Sequence, residues 1–209
     1  MLLIAENLVL RRGGRTVIDG LSLRLSNGEA LLLTGANGAG KTTLLRALAG
    51  FLPPAFGEIR IENENDDREL GELCHFVGHL DGIKPHLTAV ENLTFWAAYL
   101  DGDSSGNGGD RLTRALNKFG LAALADVPAG YLSAGQKRRL ALSRLAAAHR
   151  PLWLLDEPTA SLDAASVTLL IDAVNAHRAD GGLVIAATHL PLAFKNAKEV
   201  RLGPKEKAA

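Results

Sequence analysis

The sequence has a single cysteine, no long apolar run and no excess of charge of either sign. Cys74 has no partner for an internal disulfide, which is typical of a protein in a reducing cytoplasm. No run of about 18 apolar residues occurs, so no transmembrane helix is predicted. The N-terminal stretch MLLIAENLVL has no positive charge ahead of its apolar residues, and Glu6 interrupts it, so it does not match a secretory signal.

The charges balance, since the chain has 23 Lys and Arg residues and 23 Asp and Glu residues. Without a basic excess, nucleic acid is not an expected partner. The 209 residues are 47% hydrophobic, which is enough for a packed core and excludes a disordered chain. We expect one domain over residues 1–209, which would act at a membrane only through a partner.

The order of hydrophobic patterns predicts strands around a helical insert. Apolar or alternating runs predict strands at 2–10, 18–25, 29–35, 57–62, 74–79, 151–156, 183–188 and 199–202. Helical spacing predicts helices at 41–50, 88–100, 111–119, 134–149 and 164–178, with a linker at 101–110. This order predicts an α/β core with parallel strands, formed by about residues 1–79 and 149–209, with a helical subdomain inserted at about 80–148.

A phosphate-binding loop is predicted at GANGAGKTT, which matches G-x-x-x-x-G-K-[ST] between an apolar strand and a helix. Its glycines allow a tight loop whose N–H groups point at phosphates. Lys41 is expected to reach the β- and γ-phosphates, and the Thr42 hydroxyl is expected to bind Mg²⁺. The predicted nucleotide contacts in this loop are Gly35, Ala36, Asn37, Gly38, Ala39, Gly40, Lys41, Thr42 and Thr43. A simple glycine-rich turn before a helix is the weaker alternative.

Polar residues follow two apolar strands. LWLLDEP places Asp156 and Glu157 at a strand end, where ligands of open α/β sheets bind. Asp156 is a candidate Mg²⁺ ligand, and Glu157 is a candidate general base for a water aimed at the γ-phosphate. His189 ends the next strand and is expected to contact the γ-phosphate. The alternatives are two solvated turn acids and a capped histidine.

A second anion-binding helix start is predicted at YLSAGQKRRL. Ser133 is a candidate N-cap, Gly135 leaves backbone amides uncovered, and Gln136 follows in the first turn. One phosphate loop would suffice for one nucleotide, so this second site needs an explanation.

Together these motifs resemble the ATP-binding subunits of ATP-binding-cassette (ABC) transporters, and the resemblance covers nearly the whole chain. GANGAGKTT is similar to their Walker A motif, LWLLDE to Walker B, LSAGQ to the signature motif and SLD to the D-loop. Ala134 replaces the glycine that is usual in the signature. The resemblance implies a P-loop NTPase fold of the ABC ATPase type: a RecA-like core with an antiparallel β subdomain and an inserted helical subdomain.

The resemblance also explains the second helix start. In this family two cassettes pair head to tail, and each ATP lies between one Walker A and the other signature motif. Ser133, Gly135 and Gln136 are therefore expected to hold the γ-phosphate of an ATP bound to a second copy of this chain. Lys41, Glu157 and His189 take the implied catalytic roles, with ATP and Mg²⁺ as cofactors.

Two positions depart from the family pattern. Many members place an aromatic residue near Arg11 or Arg12 to stack on adenine; here we expect Arg12 to stack through its guanidinium group, with weaker discrimination between bases. The glutamine of the family's Q-loop is replaced by His79. Because histidine changes its charge near neutral pH, we hypothesise that coupling is pH-sensitive.

A narrower resemblance is to the ATP-binding subunits of cytochrome c maturation systems, also called haem exporters. It rests on the second departure, on the small size of the chain and on the stretches VGHLDGIKPHLTAVENLTFW and YLSAGQKRRLALSRL. This implies integral membrane subunits as partners and a peripheral position on the cytoplasmic face of the inner membrane. ATP hydrolysis would then drive haem export or release of a haem-loaded chaperone. The expected docking residues for a membrane subunit are Leu80, Ile83, Leu87, Phe95 and Trp96, although both aromatics would also suit a subdomain core.

Other functions stay open. They are another small ABC exporter, a soluble ABC ATPase of translation or DNA repair, and a small-molecule kinase, which would leave LSAGQ and SLD unexplained. A metal site of His75, His79 and His86 is not favoured, because the sequence has no cysteine pair and no regular ligand spacing.

Overall fold

The computed structural model describes residues 1–62, 68–101, 109–189 and 192–203. The strands are β1 (Leu2–Arg12), β2 (Arg15–Ser26), β3 (Ala30–Thr34), β4 (Phe56–Glu62), β5 (Cys74–Val77), β6 (Leu152–Asp156), β7 (Leu183–Ala187) and β8 (Lys198–Arg201). The helices are α1 (Lys41–Leu48), α2 (Ala89–Asp101), α3 (Gly109–Lys118), α4 (Ala134–Ala147) and α5 (Ala164–Ala179). Short 3₁₀ turns, which the sequence patterns did not predict, lie at Leu70–Glu72, Ala122–Leu124 and Ala129–Tyr131.

The first sheet is antiparallel, with the strand order β2-β1-β4. Arg12 pairs with Arg15, so Gly13 and Gly14 form a two-residue turn between β1 and β2. Both glycines have positive φ, +55° and +75°, as a type I′ hairpin turn requires. This hairpin joins the two strands that the sequence predicts at 2–10 and 18–25.

The second sheet has the order β5-β6-β7-β3-β8, and all its neighbouring strands run parallel. Every residue of β6 and β7 is buried, which explains their continuous apolar sequences. The loops after β3, β5, β6 and β7 therefore leave the sheet on one side, which we call the carboxyl edge. This arrangement brings residues from four distant parts of the sequence together.

Helices α2, α3 and α4 form a layer with its own core, which includes Leu93, Leu116, Leu132 and Leu140. The start of α2 has a capping box. Thr88 N donates to Glu91 Oε2 at 2.8 Å, and Glu91 N donates to Thr88 Oγ1 at 3.2 Å.

Helix boundaries differ from the predicted ones by a few residues. Helix α3 begins at Gly109 and α2 extends to Asp101, so the predicted linker at 101–110 is shorter; its residues 102–108 lie outside the described residues. Helix α4 ends at Ala147, because Pro151 and the residue before it cannot continue a helix.

Candidate functional site

The phosphate loop joins β3 to α1. Gly40 precedes α1 with φ +101°, a left-handed conformation that favours glycine, and it offers no side chain to cap the helix. A Cβ atom at Gly35, where φ is +128°, would collide with the carbonyl oxygen of Leu202. The first N–H groups of α1 therefore point into a loop that glycine alone can form, which is a site for an anion.

Lys41 is buried at the start of α1, and its ammonium group lies inside the loop. Its Nζ donates to the carbonyl oxygens of Gly35 at 2.7 Å and Ala36 at 3.2 Å. A buried ammonium requires such partners. The loop thus holds a positive charge where its N–H groups converge.

Thr42 and Asp156, the two predicted metal ligands, are in contact. Thr42 Oγ1 donates to Asp156 Oδ2 at 2.9 Å, and Asp156 is only 4% exposed at the end of β6. Hydroxyl and carboxylate oxygens are ligand types that Mg²⁺ prefers. This pair therefore fits a magnesium ion bound next to the phosphate loop.

Glu157 and His189 meet at the ends of β6 and β7. The carboxylate oxygen Oε2 of Glu157 lies 2.9 Å from His189 Nδ1, and the Glu157 N–H donates to Ala187 O at 2.9 Å. Glu157 has φ +46°, a costly conformation for a residue with a side chain. The side chain of Glu157 is 22% exposed and that of His189 61%, so both can reach a ligand at the carboxyl edge.

Lys41, Thr42, Asp156 and Glu157 line a cavity of about 470 Å³, a size typical of small-molecule sites, whereas His189 is not part of its lining. Its lining consists of Arg12, Arg15, Val17, Asn37, Gly38, Gly40, Lys41, Thr42, Thr43, His79, Asp156 and Glu157. We call it the nucleotide cavity. Both departures from the family pattern, Arg12 and His79, line it. Arg15 and Val17 are additions, which hairpin pairing across Gly13 and Gly14 would have indicated.

The signature motif lies elsewhere. Ser133 caps α4 as predicted: its Oγ accepts from Gln136 N at 3.2 Å, while Gln136 Oε1 accepts from Ser133 N at 2.8 Å. Ser133, Gly135 and Gln136 do not line the nucleotide cavity. Within the described part of one chain, the two anion-binding helix starts are thus separate.

A second cavity of about 690 Å³ adjoins the first, since Thr42, His79 and Asp156 line both. Its aromatic lining consists of Phe51, Phe76, Phe95, Trp96 and Tyr99, and we call it the aromatic groove. Phe95 is 41% exposed, and the buried core of the helical layer includes neither Phe95 nor Trp96.

Three of the five predicted docking residues, Leu80, Phe95 and Trp96, line the aromatic groove. Ile83 packs against the core of the helical layer, and Leu87 is not part of the lining. Sequence spacing alone did not separate the two sides of this segment.

His75, His79 and His86, for which the sequence does not favour a metal site, differ in their burial. His75 is 1% exposed, its Nε2 lies 2.9 Å from Ala148 O, and burial lowers its pKa to about 3. His79 and His86 are exposed. Among the described residues, no group of three or more His, Cys, Asp or Glu side chains is placed to hold a metal ion.

Two buried arginines of α4 were not predicted to be important. Arg138 contacts the segments around Asp81 and Glu157, and Arg144 donates to Phe76 O at 2.6 Å and lies over the Trp96 ring. Burial lowers the pKa of Arg144 to about 10. A run of charges near a helix start gives no indication that these side chains point inward.

Comparisons with known proteins show the family. The family profile described as "ABC transporter" matches residues 18–160. A protein of Mesorhizobium japonicum, named "Cytochrome c biogenesis ATP-binding export protein CcmA", is 48% identical over 204 residues, which cover 97% of this chain and 98% of that protein.

Solved structures share the fold. One described as an ATP-binding subunit of an ABC transporter has a TM-score of 0.84 and 25% identity, covering 97% of this chain and 86% of its own. Another is a dimeric, post-hydrolysis ATP-binding cassette bound to ADP and Pi; it has a TM-score of 0.81 and 24% identity and covers 96% and 94% of the two chains. None of the described helices is long and apolar enough to cross a membrane. The chain belongs to the ABC transporter family as its ATP-binding, ATP-hydrolysing subunit.

Proposed function

We propose that this ATPase powers a membrane complex of cytochrome c biogenesis, in haem export or in the release of a haem-loaded chaperone. The observation behind this proposal is the 48% identity, over nearly the full length of both chains, to a protein named for that process. Another small ABC exporter is the alternative, because the ATPase site would look the same in both.

ATP binding is assigned to the nucleotide cavity. The loop Gly35–Thr43 surrounds the phosphates with its N–H groups, and Lys41 pairs with the β- and γ-phosphates. Arg12 stacks on the base at the other end of the cavity. Thr42 and Asp156 would hold Mg²⁺, which would neutralise charge on the phosphates.

Hydrolysis is assigned to the pair at the ends of β6 and β7. Glu157 accepts a proton from a water molecule that attacks the γ-phosphorus, while the bond to the bridging oxygen breaks and ADP leaves. His189 orients the Glu157 carboxylate from 2.9 Å and contacts the γ-phosphate. Lys41 stabilises the charge that develops in the transition state.

The active form is proposed to be a pair of cassettes with ATP between them. Ser133, Gly135 and Gln136 lie outside their own nucleotide cavity, so a second copy is needed to bring a γ-phosphate to the start of α4. The uncovered N–H groups of this helix start suit that phosphate. A dimeric cassette of the same fold supports this arrangement.

A membrane subunit is proposed to dock in the aromatic groove from the membrane side, which places the chain peripherally on the cytoplasmic face of the inner membrane. Exposed aromatic side chains are typical of protein interfaces. Since His79 and Asp156 line both the groove and the nucleotide cavity, docking there would act directly on the ATP site.

The test uses the Glu157→Gln variant, which keeps the shape of the side chain and removes the base. We expect ATP hydrolysis to fall by about two orders of magnitude or more while ATP still binds. The variant is purified from native membranes with ATP and Mg²⁺, and co-purifying proteins are identified by mass spectrometry. Integral membrane subunits together with haem-handling proteins are the expected result.

Glu199→Gln is the matched control, because it makes the same change at an exposed residue of β8 whose carboxylate accepts from Thr34 Oγ1. It should hydrolyse ATP like the wild type. Membrane subunits without haem-handling proteins would contradict the cytochrome c role and leave the transporter role in place. Recovery of soluble partners alone would contradict both.

A further inference from the structure

Arg138 is a buried side chain at the carboxyl edge that makes five hydrogen bonds. It lies in α4 and is 3% exposed. Its guanidinium donates to Gly78 O (2.9 Å), Asp81 Oδ1 (2.9 Å), Asp156 O (3.0 Å), Glu157 O (2.8 Å) and Pro158 O (3.2 Å). The only charged partner among these is Asp81, so backbone carbonyls satisfy most of this cation.

The acceptors belong to two segments with different tasks. The first, residues 156–158, carries the proposed base Glu157. The second, residues 78–81, follows β5 and includes His79, which lines both the nucleotide cavity and the aromatic groove. Arg138 itself lies two residues beyond Gln136 of the signature motif and lines neither cavity. One guanidinium therefore joins three functional parts without itself lining the nucleotide cavity.

The backbone at Glu157 needs such a restraint. A φ of +46° is unfavourable for a residue with a side chain and persists only where the surroundings enforce it. Arg138 holds the carbonyl oxygens of Asp156 and Glu157, and Ala187 O accepts from the Glu157 N–H. The planar fork of a guanidinium fits several fixed acceptors at once, which a lysine ammonium cannot do.

We propose that Arg138 is a positioning residue for hydrolysis, which holds Glu157 in its left-handed conformation and ties it to the segment 78–81 and to the signature helix. This inference rests on the proposed role of Glu157 as the base. It assigns Arg138 no contact with ATP, so its loss should affect turnover and not binding.

The main test compares kcat with nucleotide affinity in the complex of the chain with its membrane subunits. Arg138→Gln should lower kcat by about 10- to 100-fold, because a displaced base attacks poorly. The Kd for a non-hydrolysable ATP analogue should change by less than about threefold. Arg138→Lys should recover part of the lost turnover, since lysine keeps the charge and satisfies fewer carbonyls.

Arg178 offers a matched control. It too donates to backbone carbonyls, those of Gly28 at 2.9 Å and Lys195 at 2.6 Å, and it lies in α5. Arg178→Gln should lower the melting temperature without lowering kcat. A purely structural role for Arg138 would make the two variants alike, with kcat lost only in proportion to the folded fraction.

Asp81→Asn tests the same proposal in case Arg138→Gln, a substitution at a buried position, does not fold. It removes the one charged partner of Arg138 and retains an acceptor, at a position that is only partly buried. We expect kcat to fall by about threefold with an unchanged Kd, because the fork is held less firmly. If Arg138→Gln is insoluble, this variant decides the question.

An unchanged kcat in Arg138→Gln, or a parallel loss of kcat and affinity, would overturn the proposal. Glu157→Gln separates it from the function on which it rests. If Glu157→Gln still hydrolyses ATP, the base is wrongly assigned. If Glu157→Gln is inactive while Arg138→Gln is fully active, the role of Arg138 alone is wrong.

Discussion

Histidines at the two edges of the parallel sheet lie in opposite environments, exposed at one edge and packed at the other. At the carboxyl edge His79 and His189 are exposed and lie beside the proposed ATP site. At the amino edge, where the strands begin, His75 is buried and His177 is half-buried against Trp153. The same residue type thus belongs to the chemistry on one side and to the core on the other.

Packing keeps the amino-edge histidines neutral. The rings of His177 and Trp153 stack at 3.9 Å between centroids and 7° between planes, and His75 meets Trp153 edge-on at 6.5 Å. Burial lowers the pKa of His75 to about 3 and that of His177 to about 4. Each imidazole has a backbone partner, Ala148 O for His75 and Pro151 O for His177.

Residues at the amino edge of the sheet thus contribute to stability, whereas residues at the carboxyl edge contribute to function. The amino edge consists of neutral, packed rings whose protonation would oppose folding. The carboxyl edge holds charges and an unfavourable backbone conformation at Glu157, which are useful for a ligand and not for folding. We therefore expect perturbations of the two edges to separate cleanly into effects on stability and effects on ATP.

The largest expected effect is acid destabilisation from the amino edge. The unfolded chain protonates both histidines below about pH 6.5, whereas the folded chain does so only near pH 4 and pH 3. Their contribution is thus fully present above about pH 6.5 and is lost as the pH falls. Between about pH 7.5 and pH 5 the free energy of unfolding should drop by about 4 kcal/mol, which urea titrations at both values would measure.

The control for this effect is a histidine outside the cluster. His177→Gln should remove about half of the pH dependence, since one of two low-pKa groups is gone. His86→Gln, at an exposed position, should leave it unchanged. Equal pH dependence in wild type and His177→Gln would show that the amino edge does not act as described.

Lys41→Ala, at the carboxyl edge, should weaken ATP binding without lowering the stability of the fold. Loss of the ammonium from the phosphate loop should weaken ATP binding by about 100-fold, because a buried cation facing phosphate is worth about 2–3 kcal/mol. The urea midpoint should not fall, since the change removes a buried charge. Calorimetric titration with ATP and Mg²⁺ measures the first quantity, and Lys118→Ala, at the exposed end of α3, should bind ATP normally.

Much of the fold and of the carboxyl edge could be predicted because the patterns are local. Strand β3, the loop Gly35–Thr43 and helix α1 follow each other in the sequence, so one motif specifies all three. The hairpin at Gly13 and Gly14 is equally local, as is the cap at Ser133. Parallel strand ends then bring Asp156, Glu157 and His189 to the same edge.

Contacts between distant segments could not be predicted in this way. Arg138 binds Asp81 and Gly78, which are 57 and 60 residues away. From the sequence alone, the charged run KRR is typical of a solvated helix face. Ile83 was expected to contact a membrane subunit and packs, partly buried, against the core of the helical layer. Such features follow from packing, which hydrophobic periodicity does not encode.

The smallest expected effect concerns His79, which lines the nucleotide cavity and the aromatic groove. Histidine is the side chain whose charge changes near physiological pH, whereas glutamine keeps the same hydrogen-bonding groups at all pH values. His79→Gln should therefore flatten the pH profile of ATP hydrolysis by a few-fold, in the complex with membrane subunits. His86→Gln, at an exposed position seven residues further along that lines neither cavity, serves as the control. Identical profiles for wild type and His79→Gln would mean that the exposed histidine of this segment takes no part in coupling, and the contrast between the two edges would then rest on His189 alone.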